Sequence, residues 1–348
     1  MPGYLRSKKN GAWYLGRIKI GQGYLGGTLV YQSAFNVTYV VDTGVEYTEK
    51  VKPNASMLSP TTFTPAKSGW EFAGWRRDTE ASGDVLTSAV ATGHTTLYAV
   101  FKQAITLSYS GNGATSGSTE SQSGTRYYNN GSISNPSFSL RSNGFSKSWY
   151  NFSQWAMGST SGTKYNAGAS VTLTSSTTFY AIWSAAYSAR TCNITDLVDV
   201  TANISSYTVL GSSLTESGSD RCVRSNGSSG NAIEFTGSNG AQIIAKCPCT
   251  VTVTYNFDLY AWDGADDWYI WRAHAYKNSS SVQELFYRGG QKSGGGFFAS
   301  GASSCTVSLN AGDTFSIRII GGGSQSGTPT GNRSRFSGTV SFVGTPTI

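Results

Sequence analysis

The sequence predicts an all-β protein, and three observations support this prediction. Glycine accounts for 42 of the 348 residues, while aromatic and charged residues each make up 13%. No stretch repeats apolar residues at the spacing of an amphipathic helix. Short runs of Val, Ile, Tyr, Phe and Thr are instead separated by Gly, Asn and Ser, as in antiparallel strands joined by tight turns. A chain of this length is expected to form about two to four domains.

Residues 1–34 predict an N-terminal hairpin arm. One short apolar run contains Ile18 and Ile20, another contains Leu29 and Tyr31, and a glycine-rich turn separates them. A lone two-stranded hairpin is only marginally stable in water, so we expect the arm to dock on another surface. The residues assigned to docking are Trp13, Tyr14, Arg17, Ile18, Ile20, Leu29 and Tyr31.

Residues 35–102 and 103–184 predict two related β units. Each unit has one pair of aromatic residues in its middle and a second pair at its end, at nearly the same spacing. We expect Trp75 and Trp155 to anchor small cores, because large aromatic side chains bury much area per residue. The alternative is that the aromatic residues stack on sugars. The matched pairs are Phe72/Trp75 with Phe152/Trp155, and Tyr98/Phe101 with Tyr180/Trp183.

Both units resemble the Listeria–Bacteroides repeat, a β-grasp-like module of bacterial surface proteins with internalin B-type repeats. The resemblance lies in the Phe-x-Gly-Trp element, the Gly-Thr-x-Tyr-x-Ala-Gly segment and the closing Leu-Tyr-Ala-x-Phe/Trp strand. The second unit departs from it, with Gln154 at the glycine position and a long insertion through 126–148. The resemblance implies a fold and no catalytic residue.

Residues 185–348 predict a jelly-roll or related β-sandwich, whose first part, 185–206, is expected to be a connector with one short helical turn. Alternation is regular from Val251 to Leu259. The Leu309-Asn-Ala-Gly-Asp313 hairpin is similar to those of C1q/TNF-like trimeric heads, which implies a homotrimer. The predicted strands cover 231–235, 241–246, 250–259, 268–276, 282–287, 306–309, 314–319 and 338–343.

Two segments, one with paired cysteines and one rich in aspartate, allow chemical interpretations. Cys247-Pro-Cys249 can be read as two packed side chains or as a metal or redox pair, and the odd total of five cysteines argues against a complete disulfide framework. The segment from Trp262 to Trp268 can be a polar turn, a calcium or sugar-binding loop, or the carboxylate pair of a glycosidase. Its candidate ligand-binding residues are Trp262, Asp263, Asp266, Asp267 and Trp268.

Other chemistry is not expected. The two histidines, His94 and His274, fall in different predicted domains, so neither a histidine metal site nor a catalytic triad is expected, and no cofactor is implied. The net charge of +7 includes no dense basic stripe, so nucleic acid is not an expected partner. No apolar run reaches the ~20 residues of a membrane span or the ~7–15 of a secretory leader.

Together these features predict a phage virion structural protein, a tail or head fibre made in the host cytoplasm. The segments Leu15-Gly-Arg-Ile-Lys-Ile20 and Gly26-Gly-Thr-Leu-Val-Tyr31 resemble the short hairpin that opens many phage virion proteins. On this hypothesis the arm binds capsid or tail proteins, the repeats are spacers, and the sandwich meets a host-surface glycan or protein. The alternatives are a capsid decoration protein and a bacterial surface adhesin or polysaccharide depolymerase.

Overall fold

The structure, a computed structural model, describes most of the chain as strands and contains no helix in the described residues. The all-β prediction is confirmed. Two compact units are present, Met1–Ser146 with Phe152–Ile182, and Lys147–Asn151 with Trp183–Ile348. The description omits residues 1–6, 10–11, 16–17, 21, 26–27, 33, 202–203, 211–222, 227–231, 237–239, 263–266, 293–295 and 323–332. It is limited to the backbone in the strands of 7–32, 196–208, 259–271, 290–299 and 321–336, and at 223, 226 and 288.

The N-terminal arm is a hairpin structure with more strands than the sequence predicts. The strand with Ile18 and Ile20 pairs with the preceding β2, and the strand with Leu29 and Tyr31 pairs with β4. The predicted pairing of these two runs with each other is therefore wrong. Glycines recur every few residues here, so shorter hairpins compete with the longer one. The strands are β1 (Ser7–Lys9), β2 (Ala12–Leu15), β3 (Ile18–Ile20), β4 (Gln22–Leu25) and β5 (Thr28–Gln32).

The two repeats share one nine-stranded sheet. Its strands, with two small two-stranded sheets, are β6 (Phe35–Asp42), β7 (Val45–Val51), β8 (Glu71–Arg76), β9 (Thr95–Ser110), β10 (Ser116–Gly117), β11 (Gln122–Asn129), β12 (Ser132–Ser134), β13 (Ser137–Ser139), β14 (Phe145–Ser146), β15 (Tyr150–Met157), β16 (Lys164–Tyr165), β17 (Ser170–Thr172) and β18 (Thr177–Ala185).

Strand β9 belongs to both repeats. In the first repeat, β6 runs parallel to β9 and also pairs with β7, while β8 pairs with β9. In the second, the later half of β9 takes the place of β6. It runs parallel to β18 and pairs with β11, and β15 adjoins β18. The closing strand of the first repeat is thus the opening strand of the second.

The repeats have aromatic cores, as predicted. Trp75 and Trp155 are almost completely buried, with 1% and 0% exposure, so they are core residues and not surface platforms for sugars. Each indole donates to a backbone carbonyl, Trp75 Nε1 to Leu58 O at 3.0 Å and Trp155 Nε1 to Arg141 O at 2.9 Å. These hydrogen bonds satisfy the one polar atom that each buried tryptophan carries.

Residues 185–348 form a two-sheet sandwich. One sheet has the order β21-β19-β29-β24-β27, and the other has β22-β23-β28-β25-β26, with β20 also paired to β28. The strands are β19 (Arg190–Thr201), β20 (Ile204–Val209), β21 (Val223–Asn226), β22 (Ile233–Phe235), β23 (Gln242–Ala245), β24 (Cys249–Trp262), β25 (Asp267–Lys277), β26 (Ser280–Lys292), β27 (Gly296–Leu309), β28 (Thr314–Gly322) and β29 (Arg333–Pro346).

This strand order is that of a jelly roll. With β19 counted first and β23 to β29 as second to eighth, the sheets run 1-8-3-6 and 2-7-4-5. Both sheets contribute to one core, for example through Val253 and Phe257 from the first sheet and Phe315 and Ile317 from the second. The alternation predicted from Val251 is confirmed as far as Phe257. The side chain of Leu259 lies outside the described residues.

The predicted connector through 185–206 is wrong, because most of it is strand. Strand β19 lies between β29 and β21, and it buries Cys192 and Ile194. Its register against β29 shifts between Ile194 and Leu197. Such an irregularity breaks the period-two alternation by which a strand is recognised in a sequence. No helix in the described residues is long and apolar enough to cross a membrane.

Candidate functional site

The register of the sandwich gathers many strand ends at one place, the apical end. Trp262 closes β24 opposite Gly296 and Arg333, the first residues of β27 and β29. Asp267 opens β25 opposite Lys292, the last residue of β26. The strands that flank residues 263–266, 293–295 and 323–332 therefore all terminate together. Such clusters of connections on a rigid sandwich commonly carry binding residues.

The predicted ligand-binding segment belongs to this apical end. The structure places Trp262 at the end of β24, and Asp267 and Trp268 at the start of β25. Asp263 and Asp266 lie outside the described residues. The turn, calcium, sugar-binding and glycosidase interpretations all depend on those two carboxylates, so each stays a prediction.

The opposite end of the sandwich is closed by hydrogen bonds around Asp313. Its carboxylate accepts from Asn278 Nδ2 at 3.0 Å, Asn310 N at 2.8 Å and Lys277 Nζ at 3.0 Å. The hydrogen bond from Asn278, with those from Asn310 and Lys277, lowers the pKa of Asp313 to about 2. The carboxylate joins the 310–313 turn to the 278–279 turn, so its role is structural.

The predicted docking residues of the arm fall on three strands. Trp13 and Tyr14 are on β2, where Trp13 lies opposite both Lys8 and Ile20 in the register. Arg17 lies outside the described residues. The remaining docking residues are Ile18 and Ile20 on β3, and Leu29 and Tyr31 on β5.

The described cysteines are packed in the sandwich. Cys192, Cys247, Cys249 and Cys305 are buried and unbridged, and Cys222 lies outside the described residues. Burial raises the pKa of Cys249 and of Cys305 to about 11. Metal binding and redox chemistry use the thiolate, which such a pKa disfavours at neutral pH. The packing interpretation of Cys247-Pro-Cys249 is therefore favoured.

The two histidines belong to different units, as the sequence predicts. His94 Nδ1 accepts from Asn36 N at 2.9 Å in the first unit. His274 contacts Ser281 Oγ at 2.7 Å and Glu284 at 3.3 Å in the second unit. Among the side chains that the structure describes, no three His, Cys, Asp or Glu residues are grouped as metal ligands.

One further concavity was missed by sequence reasoning. It lies on the outer face of the first repeat and has a volume of about 620 Å³, with Arg77, His94 and Tyr98 in its lining. The signal was present in the repeat alignment, because the second repeat has Met157 and Ser176 at the positions of Arg77 and His94. The aromatic spacing that the two repeats share indicates core residues, whereas the residues of this concavity differ between the repeats.

Comparison with known proteins supports the repeat resemblance. Residues 35–100 and 106–182 each match the family model of the Listeria-Bacteroides repeat domain. The crystal structure of murine APRIL at pH 8.5 is similar over 44% of this chain and 98% of that chain, with 15% identity and a TM-score of 0.25. A TM-score of that size carries no argument about fold or function. No curated protein matches the chain. The two β units are thus similar to this repeat, as their motifs predict.

Proposed function

We propose that this chain is a non-enzymatic structural protein of a phage particle, a tail or head fibre that attaches the particle to its host. The observation that carries the proposal is the apical end of the sandwich. There the strand ends next to residues 263–266 lie beside those next to residues 293–295 and 323–332. Trp262 and Trp268 flank the aspartate-rich segment, and tryptophan with carboxylates suits recognition of a host-surface glycan or protein.

The repeats act as a stiff spacer in this proposal. Their core tryptophans, Trp75 and Trp155, are buried, which supports a structural role for these two motif residues. Because β9 is continuous from Thr95 to Ser110, the two repeats are joined by a strand and not by a linker. A shared sheet resists bending between the repeats, as a stalk requires.

The sandwich forms the displayed head in this proposal, and the arm docks on capsid or tail proteins. The jelly-roll strand order supports a C1q/TNF-like head, and heads of that type assemble as homotrimers. In the part of the arm that the structure describes, the sheets are short and have two or three strands, and such sheets gain stability by packing on a larger surface. Nucleic acid and membrane lipid are not partners in this proposal.

A binding experiment with the full chain tests the attachment role. Purified chain is mixed with envelope polysaccharide from the strain that yields the particles, and the bound fraction is measured. We expect retention by the parent chain and at least a tenfold loss for the double variant Trp262→Ala/Trp268→Ala, because aromatic anchors dominate such interfaces.

Val282→Ser is the matched control, since Val282 is exposed and lies near the opposite end of β26. Equal binding by the parent and the double tryptophan variant would show that the apical end is not the attachment surface. Shortening of the polysaccharide during the incubation would identify a depolymerase and contradict the non-enzymatic role.

A further inference from the structure

The concavity on the first repeat is built on the outward face of two parallel strands. Along β6 the buried residues Val37 and Tyr39 alternate with outward ones such as Thr38, and β9 alternates in the same way. Thr38 and Thr96 lie side by side in the register. Half-buried Tyr98 lies farther along β9, and exposed Arg77 and His94 complete the lining.

Arg77 and His94 are held in place by local hydrogen bonds. Arg77 Nη1 donates to Thr95 Oγ1 at 3.0 Å, which fixes one edge of the guanidinium. His94 Nδ1 accepts from Asn36 N, so the neutral imidazole carries its proton on Nε2 as a donor. The ring of His94 also packs edge-on against Phe35, with 5.9 Å between centroids. The guanidinium and the imidazole are thus both held in defined orientations at the concavity.

The charge around the concavity favours an anion. Asp78, the neighbour of Arg77 in the chain, forms its ion pair with Arg76 at 2.8 Å. Lys50 lies opposite Asn36 in the β6–β7 register and is exposed. Glu46 is on the same strand as Lys50 but opposite Val40, toward the other end. The positive charge of Arg77 is therefore reinforced on the His94 side.

The second repeat has the same scaffold without the guanidinium and the imidazole. Thr106 N donates to Ser176 Oγ at 3.0 Å, in the place where Asn36 N donates to His94. Ser108 and Thr178 meet at 2.8 Å, in the place of Thr38 and Thr96. The fold of the repeat is thus satisfied by a serine at the His94 position, and by Met157 at the Arg77 position. Folding alone does not require the arginine or the histidine.

We propose that the concavity binds an anionic saccharide. The Arg77 guanidinium holds a carboxylate or sulfate of the sugar, because its planar donors match those groups. His94 and the threonine hydroxyls pair with sugar hydroxyls, and the Tyr98 ring supports the apolar face of the pyranose. About 620 Å³ lies within the usual size of ligand sites and accommodates a short oligosaccharide. The site is independent of the role proposed for the apical end.

Titration calorimetry on the full chain tests the proposal with three probes. Trigalacturonate carries carboxylates, a sulfated disaccharide carries sulfates, and a neutral galactose trisaccharide carries neither. We expect one binding site for at least one anionic probe and binding at least tenfold weaker for the neutral trisaccharide. The anionic probe that binds more tightly distinguishes carboxylate from sulfate as the recognised group.

The variants Arg77→Met and His94→Ser install the residues of the second repeat. Arg77→Met is expected to weaken anion binding by about tenfold or more, since it removes a charge-assisted hydrogen bond. His94→Ser is expected to have a smaller effect, of about threefold to tenfold. Lys164→Met, on the second repeat, makes the same charge change elsewhere and leaves binding unchanged.

A midpoint of thermal unfolding within about 2 °C of that of the parent chain confirms that each variant is folded. Binding of the neutral trisaccharide as tight as that of the anions, or anion binding unchanged by Arg77→Met, overturns the proposal. Equal loss in Lys164→Met also overturns it, because that result means nonspecific attraction to the positive chain.

Discussion

At the scale of single residues, Asp313 shows how one carboxylate stabilises a turn. It accepts hydrogen bonds from a side-chain amide, a backbone amide and a lysine, and these donors belong to two different turn regions, 277–278 and 310–313. The folded pKa of about 2 lies below the ordinary value near 3.9. The ionised form therefore stabilises the fold above pH 4, and this contribution is lost as the pH falls from about 4 to about 2.

Asp313→Asn is expected to lower the free energy of unfolding of the sandwich by about 1–2 kcal/mol at pH 7. The difference from the parent chain should shrink as the pH falls toward 2, where the parent carboxyl is also protonated. Urea unfolding at pH 7, 4 and 2 measures both effects. Glu120→Gln, at a carboxylate with 84% exposure, serves as the control with little change. A difference that stays constant down to pH 2 would contradict the assigned role.

Gly74 shows why the Phe-x-Gly-Trp motif contains a glycine. Its φ is +147°, and an added Cβ would lie 2.8 Å from Val85 Cβ. The register of β8 against β9 also shifts between Phe72 and Gly74. Gln154, at the same place in the second repeat, is not among the residues with positive φ and donates to Asn166 at 2.9 Å. The departure from the motif therefore reflects a different local backbone.

Gly74→Ala is expected to destabilise the compact unit that contains the repeats by about 2–3 kcal/mol, through backbone strain and overlap with Val85. Gln154→Ala at the equivalent position should cost less than about 1 kcal/mol. Chemical unfolding of both variants followed by tryptophan fluorescence compares them directly. Equal destabilisation by the two variants would mean that the glycine conformation is not what distinguishes the repeats.

At the scale of elements, sequence patterns predicted strands best where alternation was regular. The strand from Val251 and the aromatic spacing around Trp75 and Trp155 led to the correct cores. The strand at 190–201 was missed because its register shift hides the alternation. The pairing within the arm was wrong because several short glycine-bounded hairpins were compatible with the same residues. The cationic concavity depends on outward residues of two strands, whose pairing a sequence does not show.

The shared strand β9 predicts that the two repeats unfold together. Leu97 is fully buried in the half of β9 that belongs to the first repeat. Leu97→Ala is expected to destabilise the unit by about 2–5 kcal/mol. Hydrogen exchange should accelerate in β18 of the second repeat as much as in β6 of the first. Acceleration confined to residues 35–101 would show that the repeats are independent modules.

At the scale of the whole molecule, the side chains that the structure describes build two hydrophobic cores within residues 35–348, and the proposal gives residues 1–34 a docking role. Deletion of residues 1–34 is therefore expected to abolish incorporation into particles while the remainder stays folded. Mass spectrometry of purified particles measures incorporation, and circular dichroism of the purified deletion variant measures folding. Incorporation at the parent level would contradict the docking role of the arm.

The proposed function requires that the chain is carried on a phage particle with its sandwich outward. Electron microscopy of intact purified particles, labelled with one antibody against residues 185–348 and another against residues 1–34, tests it most directly. We expect the first antibody to label the particles at defined fibre or capsid positions and the second to gain access only after the particles are disrupted. Particles without label, or label on the bacterial envelope of uninfected cells, would contradict it.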